Sequence, residues 1–269
     1  MQVDTHTHVV APDASRYPLD AIDPTGGWYR EVPVTVDELL ALLDEAQVDR
    51  AVLVQAVSAY RHDNRYVVDS ARRYGDRCAS VVCLDPAAPG ALAELRTLVT
   101  DKGAGGLRWW ALADEPLDAP RAAWDELARL RVPVVVTMFA ARLGELAAIV
   151  PRLPAVPIAV DHCAFADFSR GVPDDLRALV DHPRVSLKVS TIVLDAMADH
   201  GDVRDGVAEL AACFGADRLM WGSDFSQTHD RPYPELAEYA RRAAGRLDAG
   251  AREAFLAGTA MRLWPQLAR

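Results

Sequence analysis

The chain of 269 residues lacks several things that would assign it to a class at once. No apolar run approaches the roughly 20 residues that a membrane span needs, so no transmembrane helix is expected. Positive charge is not in excess. Lys and Arg number 29 against 39 Asp and Glu, a formal net charge of -10, so nucleic acid is not an expected partner. No basic stretch followed by an apolar one opens the sequence, and no signal peptide is expected. Cysteine is scarce. Cys78, Cys83, Cys163 and Cys213 are scattered without a C-x-x-C pair, as reduced thiols of a cytoplasmic protein would be. Two nucleotide-binding signatures are also missing: no G-x-G-x-x-G follows the first strand, and no phosphate loop occurs. Nothing reads as a linker, internal repeat or low-complexity segment. A single domain over 1–269 is therefore expected.

What is present is a rhythm. Short β-rich runs alternate with stretches of helical apolar spacing. The runs are "QVDTHTHVV", 51–57, 79–85, 104–110, 132–139, 156–162, 184–190 and 218–224. Helical patterns lie between them, at 35–47 behind a Thr35 N-cap, at 63–75 closed by Gly75, and at 120–131 with Pro120 near its start. Others cover 89–103, 142–153, 172–182, 202–215 and 233–245, with a terminal one near 250–258. Strands alternating with helices imply parallel βαβ units. Eight units in about 250 residues predict an α/β fold, a closed (β/α)₈ TIM barrel. The long irregular stretch at 9–34 follows the first strand, where a lid or substrate loop would sit.

In such a barrel the chemistry gathers where strands end. Strand one offers His6 and His8, strand two Gln55, strand three Asp85, and strand four Arg108, Trp109 and Trp110. Strand five offers only Thr137 and Met138. Strand six gives Asp161 and His162, strand seven Lys188 and Ser190, and strand eight Asp224. Alternation puts His6 and His8 on one side of their strand and groups Ser186, Lys188 and Ser190 on the face opposite Val185, Leu187 and Val189. It also groups His162 with Ile158 and Val160. Closure makes strand eight the neighbour of strand one and brings Asp224 to the two histidines. Two imidazoles and a carboxylate suit zinc, manganese or iron. Each residue has a plain structural alternative: His162 could cap a loop, Asp224 could cap a turn, and Arg108 could be an ion-pair partner. An ammonium inside an apolar strand, as at Lys188, is costly unless paired or used. His229 and His62 read as loop residues, and His182 and His200 as surface ones. The candidates all end strands of one barrel, and chance would have to place each independently.

These residues carry a resemblance. "DTHTHVV", the strand-six "VDH" and the strand-eight "WGSDF" resemble the amidohydrolase superfamily, and more closely its amidohydrolase 2 group of metal-dependent barrel hydrolases, which includes sugar-lactone and pyrone-dicarboxylate lactonases. "GGLRWW" is similar to that group's strand-four element. The resemblance implies that His6, His8 and Asp224 hold a metal or polarise a carbonyl, that His162 contacts substrate or metal, and that Asp224 activates water. The sequence departs from the pattern in two places. Strand five has no histidine, where decarboxylase-like relatives ligate metal, and strand four has no bridging lysine. Both departures oppose a two-metal site and leave one divalent ion, zinc ahead of manganese, or none.

The expected activity is hydrolysis of a lactone or a related small carboxylated or polyhydroxylated substrate. Asp224 and His162 are the expected catalytic residues, and Arg108, Lys188, Gln55, Trp109 and His229 are expected around the substrate. A non-hydrolytic lyase (a decarboxylase or dehydratase) is the alternative, and a barrel without activity is a third. A homodimer is expected from the frequency of such assemblies.

Overall fold

The computed structural model describes residues 1–22, 26–85, 88–112, 117 and 121–268. One sheet contains eight strands in sequence order, every neighbouring pair parallel. They are β1 (Val3–Thr7), β2 (Arg50–Val54), β3 (Cys78–Cys83), β4 (Gly106–Trp110), β5 (Val134–Thr137), β6 (Ile158–Val160), β7 (Val185–Ser190) and β8 (Leu219–Gly222). Just past the end of β8 the chain meets β1. Thr7 bridges to Phe225, the His8 N–H donates to the Phe225 carbonyl at 2.6 Å, and the Asp224 N–H donates to the His6 carbonyl at 2.8 Å. The expected (β/α)₈ barrel is thereby closed.

The strands read as continuous apolar runs because both of their faces are covered. Val134, Val136, Ile158, Val160, Val185, Leu187 and Val189 point outward into the layer shared with the helices. Val52, Val54, Val81, Val135, Ala159 and Met220 fill the interior. Each of these Val, Leu, Ile and Met side chains contributes about 1.5–3 kcal/mol on burial. The interior cluster is completed by Ala257, Ala260, Trp264 and Leu267, so the segment after β8 plugs one end of the barrel. Gly105 suits this approach, since a Cβ there would lie 3.3 Å from both the Trp264 ring and the Ser80 carbonyl oxygen.

The seam between β1 and β8 is equally tight. A Cβ on Gly222 would lie 2.7 Å from the His6 Cβ. The Asp4 carboxylate ties the same seam, accepting from the Ser223 N–H at 2.8 Å and the Tyr233 hydroxyl at 3.0 Å. Burial pushes Asp4 up to about 6, against the pull of these bonds.

Thr35 forms the predicted N-cap, in a full capping box with Glu38. Pro120, expected near a helix start, lies outside the described residues, as do positions 23–25 of the long first loop. The helical pattern at 172–182 yields only one turn, Asp174–Arg177. After β7 a helix not foreseen, Thr191–Ala198, precedes the expected Val203–Phe214. Its sequence, TIVLDAMA, is apolar with little periodicity, so no polar face announces it. Among the described residues no helix is long and apolar enough to cross a membrane.

Candidate active site

His6, on β1, and His8, just past its end, project into the barrel mouth. Val3 belongs to the interior as well, and the odd spacing between Val3 and His6 is absorbed by a register slip between Asp4 and Thr7. Asp224 follows β8 with φ 64°, a left-handed conformation that costs a non-glycine residue of order 1–3 kcal/mol. Such strain is typical of residues aimed at a functional target. Asp224 Oδ1 stands 3.5 Å from Nε2 of both His6 and His8. All three side chains are essentially inaccessible to solvent.

The other ring nitrogens are spoken for. His6 Nδ1 lies 3.1 Å from Asp161 Oδ1, His8 Nδ1 2.9 Å from the Val54 carbonyl, and His162 Nδ1 2.8 Å from Ser190 Oγ. Partners of this kind fix the ring orientation and leave Nε2 to serve a ligand. His6 Nε2 and Asp224 Oδ1 are buried and make no hydrogen bond. Leaving such atoms unpaired costs about 1–3 kcal/mol each. Ligand atoms of His6, His8 and Asp224 lie within 4.8 Å of one another, as do those of His6, Asp161 and His162. The orphaned donors and the N/N/O set fit one divalent ion.

Electrostatics favour the same use. Burial would raise the Asp224 carboxyl, but His162, His8 and His6 outweigh it and hold the group below the usual carboxylate range. Burial lowers His6 and His162 despite the carboxylates beside them, so both rings are neutral at pH 7. A charged carboxylate and neutral imidazoles are the forms that bind metals.

His162 reaches the site by an unexpected route. By alternation it would point outward with Ile158 and Val160. Instead β6 stops at Val160, and His162 to Phe165 all take positive φ, from 47° to 57°. This left-handed turn swings the imidazole to 4.6 Å from the His6 ring.

The residue that sequence reasoning noted at a strand end but gave no role is Asp161. It shares the interior parity of Ala159, and that was the available signal. Asp161 is fully buried and meets Lys188 Nζ at 3.1 Å, Arg108 Nε at 3.2 Å, Thr137 Oγ1 at 2.7 Å and His6 Nδ1 at 3.1 Å. Burial alone would raise its carboxyl, but Lys188, His6 and Arg108 bring it well below the usual range. Lys188 is one of two lysines in the chain, beside 27 arginines. Burial lowers its ammonium, and Asp161 opposes that shift.

Four residues expected around the substrate have partners inside the protein. Lys188 is wholly buried on Asp161 and faces the Trp264 ring at 5.6 Å. Arg108 commits Nε to Thr137 and Asp161 and Nη1 to the Gln55 carbonyl, because only a buried cation balances Asp161. The Gln55 amide nitrogen holds the following loop through the carbonyls of Arg61 and Asp63. Trp109 has outward parity and stacks on Trp124 of the helix Arg121–Leu130 at 5.3 Å; its neighbour Trp110 lies against the Arg108 guanidinium. His229 is partly exposed, contacts the carbonyls of Ser226 and Gln227, and stands 3.6 Å from Glu31 of the long first loop. That loop also lays the buried Trp28 against His8, at 5.4 Å between rings.

With this geometry in hand, comparison with known proteins is informative. The profile of the family described as "Amidohydrolase" matches residues 3–266. An L-fucono-1,5-lactonase of Burkholderia ambifaria is 29% identical over 239 residues, covering 83% of this chain and 80% of that protein. A crystal structure of an amidohydrolase from Burkholderia multivorans with bound zinc is 25% identical at a TM-score of 0.73, covering 98% of this chain and 99% of that one. A dihydroxybenzoic acid decarboxylase from Polaromonas sp. JS666, solved with manganese and an inhibitor, is 14% identical at a TM-score of 0.71, covering 100% of this chain and 97% of that one. This last likeness concerns the fold.

Proposed function

The chain belongs to the amidohydrolase family, and on that premise we propose that it hydrolyses a lactone, with Asp224 taking the proton of the attacking water. The observation that carries this reading is the buried, unpaired couple of His6 Nε2 and Asp224 Oδ1, 3.5 Å apart beside His8. A carboxylate held in its charged form at neutral pH is competent as a general base. His162 is neutral. With the Ser190 hydroxyl donating to Nδ1, its Nε2–H is a donor for the carbonyl oxygen as negative charge develops there. Asp161 orients His6 from behind, with Lys188 and Arg108 balancing its charge. Trp28 shields His8 from bulk water.

A divalent ion held by His6, His8 and Asp224, zinc by preference, would polarise the ester carbonyl and acidify water at the site. The four thiols, none of them in a disulfide, accord with a reducing compartment such as the cytoplasm. The likeness to a lactonase supports cyclic esters as substrates. Decarboxylation has less support, because the strand-five position carries Thr137, whose hydroxyl is committed to Asp161.

The test is acid release from a panel of five- and six-membered lactones by the wild type and Asp224→Asn. We expect turnover by the wild type and a loss of about 10²–10⁴-fold in the variant. Equal rates for the two proteins would refute the role of Asp224, and no turnover of any lactone would refute the reaction class.

A further inference from the structure

Five large apolar side chains are exposed among the described residues. Met1 is terminal and Leu19 sits in the long first loop. The other three are Phe139 (49% exposed), Phe165 (40%) and Ile192 (40%), and they follow three consecutive strands, β5, β6 and β7, at the barrel mouth. The turn carrying Phe165 packs against both the turn after Phe139 and the helix that contains Ile192. Contiguous exposed apolar surface on a soluble protein marks a ligand groove or an interface.

Here the patch is continuous with the site. The His6 and His162 rings are 4.6 Å apart, His162 stacks on Phe165 at 4.9 Å with 29° between planes, and Phe165 meets Phe139 at 5.6 Å. A path of rings thus runs from the unpaired atoms at the seam to the surface. Arg142, three residues after Phe139, is engaged with Glu145 and the Ala111 carbonyl.

We propose that this arm of the mouth holds an apolar substituent of the substrate, so that the preferred lactones carry an alkyl or aryl group on the ring. The inference rests on the lactonase reading above and narrows its substrate class. A carbonyl seated at His6, His8 and Asp224 sends a ring substituent outward past His162 along Phe165 and Phe139. A hydroxylated arm laid against the Phe165 and Phe139 rings would lose water without gaining a partner from them, which disfavours it. An alkyl arm would instead cover surface that otherwise remains in water.

The experiment compares kcat/KM for δ-valerolactone, its 6-pentyl derivative and glucono-1,5-lactone, in the wild type, Phe139→Ser and Ile192→Ser. Both replaced side chains are substantially exposed, so the variants are expected to fold. We expect the wild type to prefer the pentyl derivative over δ-valerolactone by about ten-fold or more, given the usual discrimination per methylene in an apolar pocket. In each variant that ratio should fall toward one. A wild-type ratio at or below one, with δ-valerolactone still opened, overturns the inference and leaves the lactonase reading standing. Failure to open any of the three, or any five-membered lactone of the panel above, removes both. Light scattering covers the other use of the patch: a wild-type dimer that either substitution converts to monomer would make this surface a subunit interface and overturn the inference.

Discussion

Asp161 and Lys188 form an ion pair of 3.1 Å in which neither side chain has any exposed surface. The pair is not symmetric. Without Lys188, Asp161 still faces Arg108 at 3.2 Å; without Asp161, two cations remain in the interior. Stranding a buried charge costs about 3–5 kcal/mol. Asp161→Ala should therefore lose at least that much stability in urea unfolding, and Lys188→Met clearly less. An Asp161→Ala protein as stable as the wild type would contradict this account of the cluster.

Gly222 should tolerate no side chain. A Cβ there falls 2.7 Å from the His6 Cβ, and only movement of β1 could relieve the clash. Overpacking of this kind costs about 1–3 kcal/mol. Gly222→Ala should lower the melting temperature and, by moving His6, weaken metal binding. Retention of metal affinity in a destabilised variant would show that the seam yields elsewhere.

Metal content of protein purified without added metal or chelator should approach one equivalent, with zinc favoured, and should fall to background in the His6→Ala/His8→Ala double variant. Ligand binding to the native state alone also raises stability. Chelation should thus lower the wild-type melting temperature and leave that of the double variant unmoved. Equal metal in both proteins would place the ion elsewhere.

Glu126 supplies a pH-dependent contribution away from the site. Hydrogen bonds from Arg96 (2.8 and 2.9 Å) and then Arg129 push its carboxyl down to about 2, against the opposing effect of burial. A depressed carboxylate stabilises fully above its unfolded value, about 4.3. That contribution fades as pH falls from there toward 2. Glu126→Gln should cost on the order of 1 kcal/mol at pH 7, and the gap should close by about pH 2. Melts at pH 7, 4 and 2 would reveal it, and a gap that persists at pH 2 would point to packing instead.

Much of this was legible in the chain. Eight alternating units predicted the barrel, and closure predicted that Asp224 would stand beside His6 and His8 across more than two hundred residues. Parity along β7 placed Lys188 on the interior face. What stayed illegible depends on departures from regular structure. His162 enters through a left-handed turn that no alternation rule supplies. Trp109 faces the helices and Trp110 faces Arg108, a choice set by register. The partner of Lys188 was visible as a strand-end aspartate, but only the folded barrel shows three basic or imidazole groups converging on it.

The plug of Ala257, Ala260, Trp264 and Leu267 bears on the site although it lies at the other end of the barrel. These residues follow all eight strands in the chain, so a barrel without them would stand open at one end. Water would then reach Lys188 from that end, since it is the Trp264 ring that faces its Nζ, at 5.6 Å. The dry surroundings that bind Lys188 to Asp161, and Asp161 to His6, therefore depend on a segment that contributes no side chain to the site itself.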